Sequence, residues 1–154
     1  MASFEKLNNF QQHLKQDGIE AAIVTSSTNL FYLTDFFASA AMLVTPSESW
    51  YFTDFRTIED AERHFAGSGI HLKMSKGSFI PYLKDLVVRR GIRSVAMENR
   101  TLTVDAFARW KAALPVEITG LDGRIEALRQ VKFPQEVACT IRAQRIVEKS
   151  LHEL

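Results

Sequence analysis

The 154-residue chain has one cysteine, Cys139, which excludes an internal disulfide. It has no apolar run near the roughly 18 residues of a membrane span, and its first residues are too polar for a secretory signal. Its 19 basic and 18 acidic residues nearly balance, which gives no field that favours nucleic acid or an anionic membrane. These absences predict a cytoplasmic protein with a half-buried, reduced thiol and no nucleic-acid or membrane partner.

Sequence patterns of metal binding and nucleophilic catalysis are also missing. The four histidines are scattered, and none lies at ligand spacing from another histidine or from the cysteine. There is no Gly-x-Ser-x-Gly elbow, and the Gly67-Ser68-Gly69 turn precedes a strand instead of opening a helix, as a phosphate loop would. We therefore predict no catalytic residue and no metal site in this chain.

Hydrophobic periodicity predicts helices alternating with short strands. An early hairpin followed by strand–helix alternation indicates an α/β fold, with a mixed β-sheet flanked by helices. The first helix is expected to be capped by Ser3 and to end at Asp17-Gly18. The predicted strands are 19–25, 40–45, 50–53, 70–74, 92–97 and 116–118, and the predicted helices are 4–16, 29–33, 54–66, 79–90, 104–114, 122–129 and 134–154.

The last predicted helix has a clear start and no stop. Pro134 fits a first helical turn, and Glu136 suits the positive end of the helix dipole. No glycine, asparagine or proline follows before the last residue. We therefore expect residues 1–130 to form a complete leading domain, and residues 131–154 to be a linker and the first helix of a domain that the chain does not contain.

One face of this helix, about 140° wide, is apolar and is expected to need a partner. We predict that the chain self-associates partly through residues 137–154. Cys139 and Ile146 lie on the opposite side. The face is made by Val137, Thr140, Ile141, Val147, Leu151 and Leu154.

Asp54 and Arg56 follow the second hairpin strand, where the third helix is predicted to begin. Asp54 is expected to cap that helix by accepting a backbone N–H. Arg56 would lie in the first turn, where the helix dipole disfavours a cation. Its position indicates a specific carboxylate partner, either within the fold or across an interface.

The segment 29–37 contains four aromatic residues, an unusual number for a short helix and loop. Phe31 and Tyr32 either cover the edge of the core or contact a ligand. Phe36 and Phe37 lie in a stretch without helical or strand periodicity, which favours presentation of their rings to a ligand or partner.

Three stretches, taken in order, resemble the amino-terminal domain of the creatinase/prolidase/aminopeptidase P family of metallopeptidases. The resemblance extends over nearly the whole chain. Asp35 departs from it, since the family usually has glycine there, and aspartate adopts positive φ less freely. The stretches are Asn29-x-x-Tyr32-Leu33-Thr34-x-Phe36, then Thr53-Asp54-x-Arg56, then Leu128-Arg129-x-Val131-Lys132-x-x-x-Glu136-Val137 with Ile141-Arg142 and Ala143.

The resemblance implies a ribonuclease-H-like mixed sheet within a larger enzyme. In that family, a following pita-bread domain holds two divalent metal ions, usually Mn²⁺, Co²⁺ or Zn²⁺, which activate water against an Xaa-Pro peptide bond. None of those metal ligands can be placed on this chain. The amino-terminal domain commonly joins subunits into a homodimer, and one of its loops can reach over the partner's active site.

The resemblance also implies roles for particular residues. Tyr32, Asp35, Phe36 and Phe37 would belong to a substrate-access loop, in which the two phenylalanines shape an apolar wall. Asp54 and Arg56 would hold the fold of the domain or the dimer contact.

Three functions stay open at this point. The first is the non-catalytic amino-terminal domain of an Xaa-Pro dipeptidase or aminopeptidase that acts on proline-containing peptides. The second is a peptide- or protein-binding module from a relative that has lost peptidase activity. The third is a protein acting on creatine or another small guanidino compound. The metal ligands of a following domain would separate the first two.

Overall fold

A computed structural model describes residues 4–152 of the chain. The predicted Ser3 cap and the predicted extension of the last helix to Leu154 lie outside these residues. The helices are α1 Glu5–Gln16, α2 Ser27–Thr34, α3 Ile58–Phe65, α4 Ile80–Arg89, α5 Val104–Ala113, α6 Arg124–Gln130 and α7 Pro134–His152. The strands are β1 Ala22–Val24, β2 Ala40–Val44, β3 Ser49–Thr53, β4 His71–Met74, β5 Ser94–Met97 and β6 Glu117–Gly120.

The six strands form one sheet in the order β4-β3-β2-β1-β5-β6. Strand β2 pairs antiparallel with β1 and with β3, and the latter pair is the predicted hairpin, with Ala40 opposite Thr53. The pairs β1–β5, β3–β4 and β5–β6 are parallel. The predicted α/β fold with a mixed sheet flanked by helices is confirmed.

Helices cover both faces of the sheet, so the three strands β1, β2 and β3 are buried throughout their lengths. Successive residues of a strand point to opposite faces, which divides the core into two clusters. Val24 packs in the cluster with Phe10 of α1 and Leu30 of α2. Ile23 packs in the other cluster, with Leu83 of α4 and further side chains of α4 and α5.

Helix α3 begins at Ile58, so the predicted helix start and the predicted capping role of Asp54 are wrong. Its N-cap position is Thr57. The Asp54 carboxylate instead accepts the backbone N–H of Arg56 at 3.0 Å. An aspartate that bonds the backbone two residues on favours a turn over a helix, and this turn delays the helix by one turn.

Helix α7 contains no buried residue in the described part of the chain. The thiol of Cys139 is therefore exposed, and the prediction of a half-buried thiol is wrong. The helix is amphipathic, but its apolar face does not lie on the sheet or on another helix. Residues Val137, Ile141, Val147 and Leu151 are between 44% and 67% exposed.

Candidate functional site

The predicted loop begins where α2 ends, and Asp35 forms its first turn. Asp35 has φ of 50°, in the left-handed region that glycine adopts most easily. Its N–H donates to the carbonyl of Phe31 at 2.7 Å, which closes the last turn of α2. Aspartate at this position therefore makes the left-handed turn despite the cost of its Cβ.

Polar contacts hold the turn from two sides. The Thr34 hydroxyl donates to the carbonyl of Leu30 at 2.7 Å. The carbonyl of Thr34 lies 2.7 Å from Nε2 of His64 on α3. Because a carbonyl oxygen only accepts, Nε2 carries the proton in this contact. On the other side, Nζ of Lys6 on α1 contacts Oδ1 of Asp35 at 3.1 Å.

The two adjacent phenylalanines of the loop lie in different environments. Phe36 packs against the main core, with ring centroids 5.1 Å from His64, 5.4 Å from Phe65 and 6.0 Å from Tyr51. Phe37 is 74% exposed and has its ring 6.4 Å from that of Phe31, which is itself 47% exposed. The loop therefore anchors itself through one ring and presents the other to solvent.

Tyr32 lies at the edge of the core, with 8% of its surface exposed. Burial, together with the nearby Glu136 carboxylate, raises the pKa of its hydroxyl. The ammonium of Lys6 lies 5.1 Å from the centre of its ring. The sequence did not decide whether Phe31 and Tyr32 cover the edge of the core or face a ligand. In the structure Tyr32 covers the edge of the core, while Phe31 faces outward.

A buried polar cluster lies beneath α2, and the sequence did not single out its main carboxylate. Glu98, 4% exposed, accepts the backbone N–H groups of Thr25 at 2.6 Å and Ser26 at 2.9 Å. It also accepts from the side-chain amide of Asn29 at 2.7 Å. Glu98 directly follows strand β5, which pairs with β1. A carboxylate at the end of a mostly apolar strand is the sequence pattern that could have indicated this residue.

Asn29 links this carboxylate to helix α6. Its amide nitrogen also donates to Glu126 at 2.8 Å, and its amide oxygen accepts from Arg129 at 3.1 Å. The side chain is fully buried. One asparagine therefore uses both ends of its amide to hold two carboxylates and a guanidinium, and this joins the sheet, α2 and α6.

Asp54 and Arg56 form an ion pair with each other at the surface. Arg56 donates from Nη2 to Asp54 Oδ2 at 2.6 Å and from Nε at 3.1 Å to the same atom. The side-chain hydrogen bond from Arg56 is the main cause that lowers the pKa of Asp54. The predicted carboxylate partner of Arg56 is thus found within the fold. A role for the pair in a dimer contact stays a prediction.

A cleft of about 620 Å³ separates the loop from the start of α7. Lys6 lies in this cleft and contacts Glu136 Oε1 at 3.1 Å as well as Asp35. Its walls are formed by Glu5, Lys6, Phe31, Asp35, Phe133, Gln135, Glu136 and Cys139.

The described residues do not fit a dinuclear metal centre. Within residues 4–152, no three side chains of histidine, cysteine, aspartate or glutamate lie close enough to share a metal ion. In the same part of the chain, no helix combines the length and the apolar character that a membrane span requires.

Comparison with known proteins gives one consistent family. The sequence model of the Creatinase/Prolidase N-terminal domain matches residues 6–131. An uncharacterized peptidase of Bacillus subtilis, YqhT, is 26% identical over 151 residues, which cover 97% of this chain and 42% of that protein. The chain spans about two fifths of the length of the curated relatives it matches.

Two solved structures share the fold. An Xaa-Pro dipeptidase from Bacillus anthracis superposes with a TM-score of 0.78 at 24% identity, over 87% of this chain and 38% of its own. An Xaa-Pro aminopeptidase from Streptococcus thermophilus superposes with a TM-score of 0.74 at 23% identity, over 81% of this chain and 96% of its own. With the family match extending across most of its length, the chain belongs to the creatinase/prolidase N-terminal domain family.

Proposed function

We propose that this chain is the non-catalytic amino-terminal domain of an Xaa-Pro peptidase. The protein that contains it would hydrolyse peptide bonds next to proline in the cytoplasm, using two divalent metal ions held by a following domain. The observation that carries this proposal is the family match over residues 6–131. Relatives named as Xaa-Pro peptidases contain the same domain within chains more than twice its length.

The loop after α2 is the part we assign to substrate access. Phe37 and Phe31 form an exposed apolar pair that could contact the ring of a proline. Phe36, His64 and the Lys6–Asp35 ion pair fix the backbone behind this pair. A rigid support lowers the entropy lost when the exposed rings contact a substrate, which suits a binding loop.

We infer that this chain, without the following domain, self-associates partly through the apolar face of α7. The support is the exposure of Val137, Ile141, Val147 and Leu151, which a second copy of the chain would cover. The Val147→Glu variant should shift the chain from dimer to monomer in sedimentation equilibrium. Ala138→Glu adds the same charge on the opposite side of the helix and should leave the dimer intact. A monomer at high concentration in the unmodified chain, with α7 ordered, would contradict this assignment.

The non-catalytic role is tested by assaying this chain beside the longer protein. Each is incubated with Mn²⁺, Co²⁺ or Zn²⁺ and with the dipeptide Ala-Pro. We expect hydrolysis by the longer protein alone. Metal-dependent cleavage by this chain would overturn the proposal. Peptide binding without cleavage by the longer protein would support the binding-module alternative, and turnover of creatine would support the third.

A further inference from the structure

Lys6 forms ion pairs with two separate segments of the chain. Its ammonium lies 3.1 Å from Asp35 in the loop and 3.1 Å from Glu136 in the first turn of α7. The Lys6 side chain is only 15% exposed, so water screens these contacts less than those of a fully exposed pair. The ammonium also lies over the ring of Tyr32, 5.1 Å from its centre.

Each acidic partner of Lys6 also controls the backbone of its own segment. Asp35 is the left-handed residue that ends α2 and directs the chain into the loop. Glu136 accepts the N–H of Phe133 at 2.9 Å through its second carboxylate oxygen, which fixes the turn that leads into α7. One ammonium therefore contacts the residues that set the direction of two chain segments.

Within residues 4–152, α7 packs only weakly against the rest of the domain. It buries no residue, and Phe133, just before its start, is only partly buried. A helix with no buried face has little packing energy to fix its orientation. The ion pair between Lys6 and Glu136 is therefore one of the contacts that fix the start of α7 relative to the rest of the domain.

We propose that Lys6 is a positioning residue that couples the orientation of α7 to the shape of the loop after α2. Movement of α7 changes the position of Glu136, and through Lys6 it loosens or tightens the hold on Asp35. If the proposed function holds, a following domain attached to α7 controls through this lysine how the loop presents Phe37. The coupling itself is a property of this chain and does not require that function.

The test uses one reporter on each segment. Cys139 is the only cysteine and is exposed on α7, so a nitroxide attached there reports the mobility of the helix. Amide hydrogen exchange at Asp35 and Phe36, which donate to Phe31 and Thr34, reports opening of the loop without any label.

Each decisive variant changes a residue in one segment, and its effect is measured by the reporter on the other segment. Asp35→Asn keeps a residue that tolerates positive φ but weakens the contact with Lys6, and it should increase nitroxide mobility on α7. Glu136→Gln should speed amide exchange in the loop by about threefold, the size expected for loss of a partly exposed ion pair. Lys6→Met should produce both effects, and Lys6→Arg should restore both in part.

Asp105→Asn is the matched control, since it removes a surface ion pair with Arg109 on α5. It should change neither reporter. The proposal is overturned if Asp35→Asn and Glu136→Gln each alter only their own segment while circular dichroism shows a folded protein. Absence of Xaa-Pro hydrolysis by the unmodified longer protein would refute the proposed function but would leave this coupling result unchanged.

Discussion

Asn29 and Glu98 form a hydrogen bond of 2.7 Å inside the domain, although they lie on different elements. The amide of Asn29 comes from α2, and the carboxylate of Glu98 follows β5. The same carboxylate accepts two backbone N–H groups in the residues just before α2. This pair therefore fastens α2 to the parallel half of the sheet.

Replacing Asn29 by alanine should lower the free energy of unfolding by about 3 kcal/mol, because Glu126 and Arg129 lose a buried partner together with Glu98. Urea unfolding followed by circular dichroism measures the change. Asn8→Ala, at an exposed position on α1, is the matched control and should cost less than about 0.5 kcal/mol. Equal losses in the two variants would contradict the role of the cluster.

Replacing Tyr51 by phenylalanine should raise the free energy of unfolding by about 1 kcal/mol. The ring is fully buried, and its hydroxyl has no hydrogen-bond partner among residues 4–152. Burial also raises the pKa of this hydroxyl strongly, so it stays protonated while the domain is folded. Tyr82→Phe removes a hydroxyl that accepts the N–H of Lys76, and it should be neutral or slightly destabilising. Urea unfolding of both variants measures the two changes.

Phe36→Ala and Phe37→Ala should differ sharply in stability. Phe36 is packed against the aromatic side chains of the core, so its removal should cost about 3 kcal/mol. Phe37 is mostly exposed, so its removal should cost less than about 0.5 kcal/mol. In the longer protein, Phe37→Ala should raise KM for an Xaa-Pro peptide without unfolding the domain. An unchanged KM would contradict a role of Phe37 in substrate access.

Acidification should release the start of α7. The hydrogen bond from the Phe133 N–H, supported by Lys6, holds the pKa of Glu136 below its ordinary value near 4.5. A carboxyl whose pKa is lower in the folded state stabilises that state above its unfolded pKa, and this contribution is lost as pH falls through the folded pKa.

A titration of nitroxide mobility at Cys139 from neutral pH to pH 3 should therefore show α7 loosening below about pH 4.5. Glu136→Gln should remove that component of the curve. Glu5 and Asp35 are further carboxylates in the same cleft, so the informative quantity is the difference between the curves of the unmodified protein and the Glu136→Gln variant. Superimposable curves would exclude Glu136 as the responsible group.

Most of the fold could be predicted because it depends on local patterns. Apolar periodicity identified each helix and strand, and the segment around Pro46 indicated the hairpin that makes the sheet mixed. The start of α3 differs from the prediction because the Asp54 carboxylate accepts the backbone N–H of Arg56, and this turn outweighs the helical pattern around Phe55.

The candidate site was less accessible to sequence reasoning. The aromatic segment could be found because four rings within a short helix and the loop after it are unusual, and Asp35 because it departs from the glycine usual in the family. The sequence could not show which ring faces the core, since Phe36 is directed inward by His64 and Phe65 on another helix. The cluster around Glu98 and the contacts of Lys6 require long-range pairings that only the folded chain reveals.

The sheet order has a consequence for the folding pathway. Among the described strands, every neighbouring pair is consecutive in the chain except β1 and β5. The first four strands can therefore assemble step by step, whereas β5 must close a long loop to reach β1, at an entropic cost paid before contacts form. We expect this closure to limit the refolding rate. Ala96→Gly, opposite Ala22 in that pair, should then slow refolding more than it speeds unfolding in stopped-flow experiments.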